Sequence, residues 1–430
     1  MRNISGKSDR IYMCIDLKSF YASVECAERG LNPMTTNLVV ADPERSTGTL
    51  CLAVSPSMKA LGVRNRCRLY EIPENIEYIA AVPRMQLYID YAVRIYGEYL
   101  KYISPDDIHV YSVDEAFFDV TEYVRRSGMT PEQMARFLMG RVEKCAGIRS
   151  TAGIGTNLYL AKVALDITAK HSPKFIGYLD EEKYREELWD HRPLTDFWRI
   201  GRGTAARLDK LGIRTMREIT RANEDTLYKI FGIDAELLID HAWGRESTTL
   251  ADIKGYRSKS RSLSSGQVLL RDYDYDEARL IVKEMADLVC LDMVEKNIYT
   301  DLLTLYVGYS HTVPIPPSGG SIRLPRPTNA DSLIIPALVR KYNEIVVPGV
   351  PIRRIGIGCE NIVEDEGQYQ MSLFDEGVTE ETERDRKIQE AVLEIKARFG
   401  KNAILKGLNL EEAGTTRARN HQIGGHKSGT

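Results

Sequence analysis

The chain has 430 residues, a formal net charge of -3, 43% hydrophobic residues and 28% charged residues, which indicates a soluble globular protein with more than one domain. No apolar run is long enough to cross a bilayer, and the polar N-terminus lacks the apolar segment of a secretory signal, so we expect a cytoplasmic protein without a membrane anchor. The seven cysteines form no CxxC pair, which disfavours a disulfide framework and a zinc site.

The first 180 residues are predicted to alternate between strands and helices. In chain order the predicted elements are a strand at 11–15, a helix at 19–29, strands at 38–41, 50–54, 110–113 and 117–120, a helix from residue 130, and a strand at 150–154. Thr130 and Gln133 form a capping box with Pro131 in the first turn. The alternation predicts an α/β or α+β domain.

The rest of the chain is predicted to form a helical region, a linker and a second small α+β domain. Short helices are predicted from 193 to 245, and the polar, basic stretch from residue 255 indicates a linker. The second domain has an extended segment at 264–270, a helix at 278–296, and strands at 302–307 and 353–358 separated by a proline-marked loop. After about residue 365 we expect a tail with one amphipathic helix, whose apolar face carries Ile388, Ala391, Val392, Ile395 and Phe399.

Three carboxylates lie at the ends of apolar segments. Asp16 follows the first strand, and Asp114 and Glu115 lie between two strands. Carboxylates beside a core are costly unless they are solvated, paired or bound to metal. Oxygen ligands suit magnesium, and a pair of ions can activate a 3′ hydroxyl and stabilise a leaving pyrophosphate. The spacing alone leaves open the alternative that these residues only form turns.

The segments around these carboxylates carry a specific resemblance. CIDLKSFYASVE (14–25) and YSVDEAFFD (111–119) resemble two catalytic motifs of the Y-family translesion DNA polymerases, and the similarity continues through TAGIGTNLYLAK (151–162) to about residue 365. The chain is nearer the UmuC-like branch than the DinB-like one. The resemblance implies template-directed, low-fidelity DNA synthesis past lesions, in DNA damage tolerance and repair, by an enzyme without a proofreading exonuclease. It implies two Mg²⁺ ions, with Mn²⁺ as an alternative.

The resemblance also implies an α+β multidomain fold, a right-hand polymerase. The expected parts are a ferredoxin-like palm (1–20 and 85–177), small fingers (21–84), a helical thumb with a helix-hairpin-helix (178–250), a linker (251–263), an α+β little finger (264–364) and a tail (365–430).

The resemblance assigns the catalytic metal ligands, which are the carboxylates of Asp16, Asp114 and Glu115 and the backbone carbonyl of Leu17. Many relatives have an acidic residue where this chain has Lys18, but that residue is not the essential ligand. We expect Glu25 and Asp119, in the same motifs, to be structural.

Tyr21 matches the family's steric gate, an aromatic ring that would clash with a ribose 2′ hydroxyl. Its neighbour Phe20 is a further nucleotide-binding candidate. The alternative is core packing, since at least one of two adjacent aromatic residues on a helix must face inward.

The triphosphate requires cations, and the resemblance places Lys59 and Lys170 on it. Each lysine alone would more often be a solvated surface charge. Relatives often carry a tyrosine where this chain has Pro56, so the corresponding contact is lost or is replaced by Ser55 or Ser57.

Segment 197–208 resembles a helix-hairpin-helix. Glycines there let backbone N–H groups approach a phosphate, which favours DNA binding without sequence preference. A glycine turn between helices is the plain alternative. The predicted DNA contacts, including two from a basic stretch in the linker, are Gly201, Arg202, Gly203, Lys259 and Arg261.

The segment Gln370-Met371-Ser-Leu373-Phe374 resembles the peptide that binds the bacterial sliding clamp. Hydrophobic anchors on a polar segment suit insertion into a preformed groove. The alternatives are a chance exposed cluster or a strand of the little finger.

The expected partners are primer-template DNA, dNTP and the sliding clamp, with accessory polymerase subunits as for some UmuC-like relatives. Two other functions stay open on the carboxylates alone, namely a palm-type nucleotidyl cyclase and a non-catalytic DNA- or clamp-binding module. The hairpin at Gly201 and the clamp-like peptide disfavour the cyclase, and the intact carboxylates disfavour the non-catalytic module.

Overall fold

The structure is a computed structural model that describes residues 10–45, 48–170, 172–257, 262–364 and 376–429, with side chains from residue 384 in the last range. It divides into two compact units, Met1–Tyr256 with Ser428–Thr430, and Arg257–Lys427. No helix in the described ranges is long and apolar enough to span a bilayer. Six predicted contact residues lie outside the described residues, namely Lys259, Arg261, Gln370, Met371, Leu373 and Phe374.

The strands of the first unit are β1 (Tyr12–Leu17), β2 (Leu38–Val40), β3 (Ala53–Val54), β4 (Ile79–Ala81), β5 (Ile108–Val110), β6 (Glu115–Asp119), β7 (Ser150–Gly155) and β8 (Ile176–Leu179). Its helices are α1 (Phe20–Glu28), α2 (Pro56–Ala60), α3 (Met85–Tyr99), α4 (Thr121–Ser127), α5 (Pro131–Ala146), α6 (Leu158–Val163), α7 (Glu181–Glu187), α8 (Arg202–Asp209), α9 (Met216–Arg221), α10 (Glu224–Phe231), α11 (Asp234–Ala242) and α12 (Leu250–Gly255).

A five-stranded sheet in the order β5-β6-β1-β7-β8 forms the palm, with β1 antiparallel to both of its neighbours. Successive residues of a strand point to opposite faces. Met13 and Ile15 of β1 therefore pack in the main core with residues of α3 and α5. Tyr12 and Cys14 point to the other face and pack with residues of α6. Asp16 continues this second series, so its side chain belongs to the α6 face of the sheet.

The predicted strands at 11–15 and 150–154 correspond to β1 and β7, and the predicted helices at 19–29 and from 130 correspond to α1 and α5, whereas α3, α4, α6 and β8 were not predicted. The capping box of α5 is present, with Thr130 Oγ1 accepting from Gln133 N at 3.2 Å. The strands around the acidic pair were misplaced. They were predicted at 110–113 and 117–120, but the structure has β5 at Ile108–Val110 and β6 at Glu115–Asp119. Glu115 therefore lies on a strand and not in a turn, because the sheet extends up to the carboxylates.

The fingers are a small three-stranded sheet in the order β3-β2-β4 with a core of their own. The predicted strand at 50–54 is reduced to β3 and an isolated bridge between Leu50 and Arg68. The predicted boundary at residue 21 divides α1, whose Phe20, Ala22 and Val24 pack in the palm core.

Helices α7 to α12 follow the palm, and the apolar side chains of α7 to α11 pack with α6 in one core. The predicted linker at 251–263 begins instead as a helix, because α12 continues to Gly255 after a capping box at Thr249. The segment before α8 is a 3₁₀ turn at Leu194–Asp196, within the region from 193 to 245 where short helices were predicted.

The second unit has strands β9 (Leu263–Tyr273), β10 (Ile298–Tyr309), β11 (Ser318–Thr328), β12 (Ile352–Glu360), β13 (Val363–Glu364), β14 (Gln422–Ile423) and β15 (His426–Lys427). Its helices are α13 (Tyr275–Glu295), α14 (Asp331–Ile345), α15 (Glu376–Phe399) and α16 (Thr416–Asn420). Its main sheet has the order β11-β10-β12-β9, and α13 and α14 share a core with it.

Sequence patterns did not predict β11 and α14. Strand β11 contains Pro325 and Pro327, residues that normally argue against a strand, but it lies at the edge of the sheet, where a missing N–H is tolerated. Helix α14 carries Pro336 in its interior, which is a helix-breaking signal in a sequence.

The region predicted as a tail packs on the second unit. Helix α15 lies where the periodicity predicts a helix, but the predicted face was partly wrong, since Ile388 and Phe399 are exposed while Gln389 is buried. Beyond α15, the fully buried carboxylate of Glu284 on α13 accepts hydrogen bonds from Asn409 Nδ2 at 2.9 Å and from Thr415 N at 2.8 Å. The region from 384 to 427 is therefore part of this unit.

Candidate active site

The palm sheet brings two distant acidic segments side by side. Asp16 on β1 is the register partner of Glu115 on the adjacent antiparallel strand β6. The N–H of Leu17 donates to the carbonyl of Asp114 at 2.9 Å, which fixes the neighbouring residues as well. The sheet pairing thus places all three predicted carboxylates, and the backbone of Leu17, at one end of β1.

The Asp16 carboxyl is buried beside two other carboxylates, so a nearby positive charge would stabilise its ionised form. Burial and then the negative charges of Asp114 and Glu115 raise its pKa, the cations of Lys162 and Lys170 offset part of this increase, and the net value is about 7. A carboxylate in this state gains most from a bound cation, because a cation removes both the burial penalty and the repulsion.

Lys162 is a site residue that sequence reasoning did not assign. Its side chain is only 8% exposed, and its ammonium contacts Glu115 at 2.9 Å and Asp166 at 3.0 Å. Although burial lowers its pKa, the two carboxylates raise it above the usual range, so Lys162 is charged. Glu115 also accepts a hydrogen bond from the thiol of Cys14 at 3.2 Å. The signal available in the sequence was the last position of the motif 151–162.

Two glycines of β7 allow this contact. A Cβ at Gly153 would lie 2.1 Å from the carbonyl oxygen of Ala161, and one at Gly155 would lie 2.2 Å from its nitrogen. Only glycine leaves space for α6 to approach the sheet so closely. The approach brings Lys162, which follows Ala161 on α6, to the carboxylate of Glu115.

The donor set fits a hard divalent cation. In the described ranges, no three acidic, histidine or cysteine side chains form a ready ligand group, because Glu115 is turned to Lys162 and Asp114 Oδ1 accepts from Ser112 Oγ at 2.7 Å. The available atoms are nevertheless carboxylate and carbonyl oxygens, which are the ligands that Mg²⁺ prefers. The raised pKa of Asp16 reflects burial and neighbouring negative charges, both of which a bound cation would offset.

Tyr21 and Phe20 have different surroundings. Phe20 is fully buried in the palm core, so packing explains it. The Tyr21 ring is partly exposed and stacks on Tyr88 of α3, with ring centroids 4.5 Å apart and planes 17° apart. Burial raises the pKa of Tyr21, and the negative charge of Asp114 raises it further. Of the two, Tyr21 is therefore the partly exposed residue, and its hydroxyl lies within electrostatic range of Asp114.

A group of lysines lies beside the carboxylates. Burial lowers the pKa of Lys59, the charges of Asp16 and Asp114 raise it, and that of Lys170 lowers it, with a net decrease. Lys18 also has a lowered pKa, first from burial and then from the charge of Lys59, and its ammonium lies 3.6 Å from the ring centroid of Phe175. Repulsion among these cations favours a bound polyanion.

Ser55 has a structural position. It is fully buried at the N-terminus of α2, where its hydroxyl accepts from Met58 N at 3.3 Å and donates to the carbonyl of Thr36 at 2.8 Å. These bonds argue against a phosphate contact. Ser57 donates to Asn37 Oδ1 at 2.6 Å.

The predicted structural acids are held by neighbours. Asp119 accepts hydrogen bonds from Thr121 Oγ1 and N, at 2.5 and 3.1 Å, at the start of α4. Glu25 is fully buried and receives a bidentate contact from Arg84.

Three predicted DNA contacts lie at the exposed start of α8. Gly201 precedes the helix and Arg202 and Gly203 begin it, and all three are exposed. A Cβ at either glycine would meet no atom within 4 Å, so the protein itself does not require glycine there.

Comparisons with known proteins agree with this geometry. Residues 15–166 match the impB/mucB/samB family, and residues 260–373 match the C-terminal domain of that family. The chain is 31% identical over 423 residues to the putative UV-damage repair protein UvrX of Bacillus subtilis, covering 97% of each protein. It is 30% identical over 429 residues to DNA polymerase IV 2 of the same organism, covering 97% of this chain and 99% of that protein.

A solved structure, the Y-family DNA polymerase chimera Dbh-Dpo4(243-245)-Dbh, superimposes with a TM-score of 0.63 at 21% identity, covering 82% of this chain and 99% of the chimera. This agreement confirms the predicted α+β right-hand polymerase architecture. The chain therefore belongs to the Y family of translesion DNA polymerases.

Proposed function

We propose that this chain extends a DNA primer past template lesions by nucleotidyl transfer at Asp16, Asp114 and Glu115. The observation that carries the proposal is the register pairing of Asp16 with Glu115, beside Asp114, at the end of β1. At this position burial and repulsion raise the pKa of Asp16 to about 7. A buried acidic centre of this kind suits a reaction in which cations and phosphates meet.

The metal ligands in this proposal are the three carboxylates and the carbonyl of Leu17, holding two Mg²⁺ ions, with Mn²⁺ as an alternative. When bound, the ions supply activation of the primer 3′ hydroxyl and stabilisation of the leaving pyrophosphate. Lys162 holds the side chain of Glu115 through its 2.9 Å contact and limits the rotamers that this carboxylate can adopt.

The nucleotide contacts follow from the surrounding side chains. The ring of Tyr21 stacks on the ring of Tyr88. In this proposal the Tyr21 ring occupies the space that a ribose 2′ hydroxyl would need. Lys59 and Lys170 bind the triphosphate, and the repulsion between their ammonium groups is relieved by its negative charge.

The nucleic-acid and protein contacts form a further part of the proposal. The exposed N–H groups at the start of α8, with Arg202, bind the phosphate backbone of primer-template DNA. Lys259 and Arg261 are further candidate DNA contacts, and the peptide from Gln370 to Phe374 binds a sliding clamp. Accessory polymerase subunits are additional candidate partners, and a cytoplasmic location is consistent with these partners.

Primer extension with dNTPs and magnesium tests the catalytic assignment. We expect Asp114→Ala to lose extension by at least about 10³-fold, because one of the few groups that hold charge at the reacting centre is removed. Asp106→Ala, at an exposed position in the same unit, is the control and should extend normally. Extension that survives Asp114→Ala would contradict the metal-site assignment. A cyclic nucleotide product would favour the cyclase alternative, and an inactive wild-type chain that binds DNA would favour the non-catalytic one.

A further inference from the structure

A buried charged cluster lies one helical turn behind the candidate steric gate. Tyr21 and Glu25 are four residues apart and share one face of α1. Arg84 and Tyr88 have the same spacing at the start of α3 and face them. The Tyr88 ring stacks on Tyr21, and the Tyr88 hydroxyl donates to Glu25 Oε1 at 2.8 Å. One tyrosine therefore connects the gate ring to the carboxylate.

The carboxylate of Glu25 is fixed on both oxygens. Arg84 donates from Nε to Oε1 at 3.0 Å and from Nη2 to Oε2 at 2.7 Å, and Arg29 donates to Oε2 from the opposite side. Glu25 has no exposed side-chain surface. Burial raises the pKa of Glu25, but the hydrogen bonds from Arg84, Arg29 and Tyr88 lower this pKa by more than burial raises it. The carboxyl group is therefore ionised. A bidentate arginine contact fixes orientation as well as energy.

We propose that Glu25 is a positioning residue for sugar selection, which holds Tyr88 and through it the ring of Tyr21 at the height that excludes a ribose 2′ hydroxyl. The inference rests on the proposed function of Tyr21 as the gate. The proposed role of Glu25 goes beyond filling space. No covalent bond fixes the stacked rings of Tyr21 and Tyr88, so the hydrogen bond from Tyr88 to Glu25 contributes to their orientation. Without the Glu25 bond, the hydroxyl of the fully buried Tyr88 loses its acceptor, and a shift of the Tyr88 ring towards another partner would move Tyr21, which stacks on it.

The test compares incorporation of dNTP and rNTP by the full chain. We expect Glu25→Gln to raise kcat/KM for rNTP while changing the value for dNTP far less, lowering discrimination by about tenfold, since a displacement of about 1 Å at a positioning group costs up to about 100-fold. Tyr88→Phe keeps the stack and loses only the bond to Glu25, so it should cause a change in the same direction. It remains informative if Glu25→Gln fails to fold.

Glu98→Gln is the matched control. Glu98 is also a buried carboxylate, lies on α3, and is held by Arg141 at 2.6 Å and by Lys101, but it has no contact with the aromatic stack. It should lower stability and leave discrimination unchanged. Equal loss of discrimination in Glu98→Gln and Glu25→Gln, or folded Glu25→Gln and Tyr88→Phe enzymes with wild-type discrimination, would overturn the inference.

Tyr21→Ala in the same assay separates this inference from the proposed function. If Tyr21→Ala does not admit rNTP, the gate assignment itself fails. If Tyr21→Ala admits rNTP while Glu25→Gln does not, only the positioning role fails. The double variant that combines Tyr21→Ala with Glu25→Gln should discriminate between dNTP and rNTP no worse than Tyr21→Ala alone. The reason is that Glu25 acts through the Tyr21 ring, which both variants lack. A further loss in the double variant would contradict that route.

Discussion

The buried hydrogen-bonded contact between Glu246 and His241 yields a quantitative prediction of stability. Glu246 Oε2 lies 3.0 Å from His241 Nε2, its other oxygen accepts from Thr248 N at 2.8 Å, and its side chain is 10% exposed. Burial raises the pKa of Glu246, but hydrogen bonds from His241 and Thr248 bring it down from 4.5 to about 2. A decrease of this size corresponds to about 3 kcal/mol of folding free energy.

The sign follows from the direction of the shift. A carboxyl whose folded-state pKa is depressed contributes stability that is fully present above its unfolded pKa, near 4.5, and is lost as the pH falls towards 2. We therefore expect Glu246→Gln to lower the free energy of unfolding of the first unit by about 3 kcal/mol at pH 7. The difference between the variant and the wild type should decrease steadily below pH 4.5 and largely vanish near pH 2.

Urea unfolding followed by tryptophan fluorescence measures this directly. The chain has three tryptophans, and all lie in the helical region that contains Glu246 and His241, namely Trp189, Trp198 and Trp243. The ring centroids of Trp198 and His241 are 6.3 Å apart, with nearly parallel planes. Glu187→Gln is the control, since Glu187 is 45% exposed in its pair with Lys183 and should contribute at most about 1 kcal/mol. A difference between Glu246→Gln and wild type that is independent of pH between 6 and 3 would refute the reasoning.

Three further expectations concern the active centre and the clamp. Tyr21→Ala should admit ribonucleotides in primer extension, and unchanged discrimination between dNTP and rNTP would contradict the gate. Gly153→Ala should destabilise the first unit by about 3 kcal/mol or more, because its Cβ would meet the Ala161 carbonyl at 2.1 Å, and a wild-type unfolding midpoint would show that α6 can move away. Deletion of 370–374 should abolish clamp-stimulated synthesis and spare distributive synthesis, and equal loss of both would argue against the peptide.

The candidate catalytic carboxylates illustrate how far the sequence reaches. Their neighbours in the motifs singled out Asp16, Asp114 and Glu115 through the resemblance to the family. Their pairing across β1 and β6 required the sheet, since strand register depends on contacts between segments about 100 residues apart. The same holds for Lys162, whose role depends on the approach of α6 to the sheet.

Two of the missed elements, β11 and α14, have a common cause. Strand β11 and helix α14 carry prolines that argue against regular structure, and only the edge position of β11 shows why its prolines are tolerated. The periodicity of 388–399 correctly predicted a helix but not its buried face, because that face is chosen by α13 and α14, against which α15 packs.

The sequence by itself thus determined the family and several palm elements, and it singled out the candidate metal carboxylates and the candidate gate tyrosine, because these depend on local order and on short-range periodicity. The tertiary structure decided what these residues touch. It placed Lys162 on Glu115, Tyr88 beneath Tyr21, and Glu25 behind both tyrosines. The physical reason is that hydrogen bonds and charges between distant segments form only once the sheet and its helices have brought those segments within a few ångströms of each other.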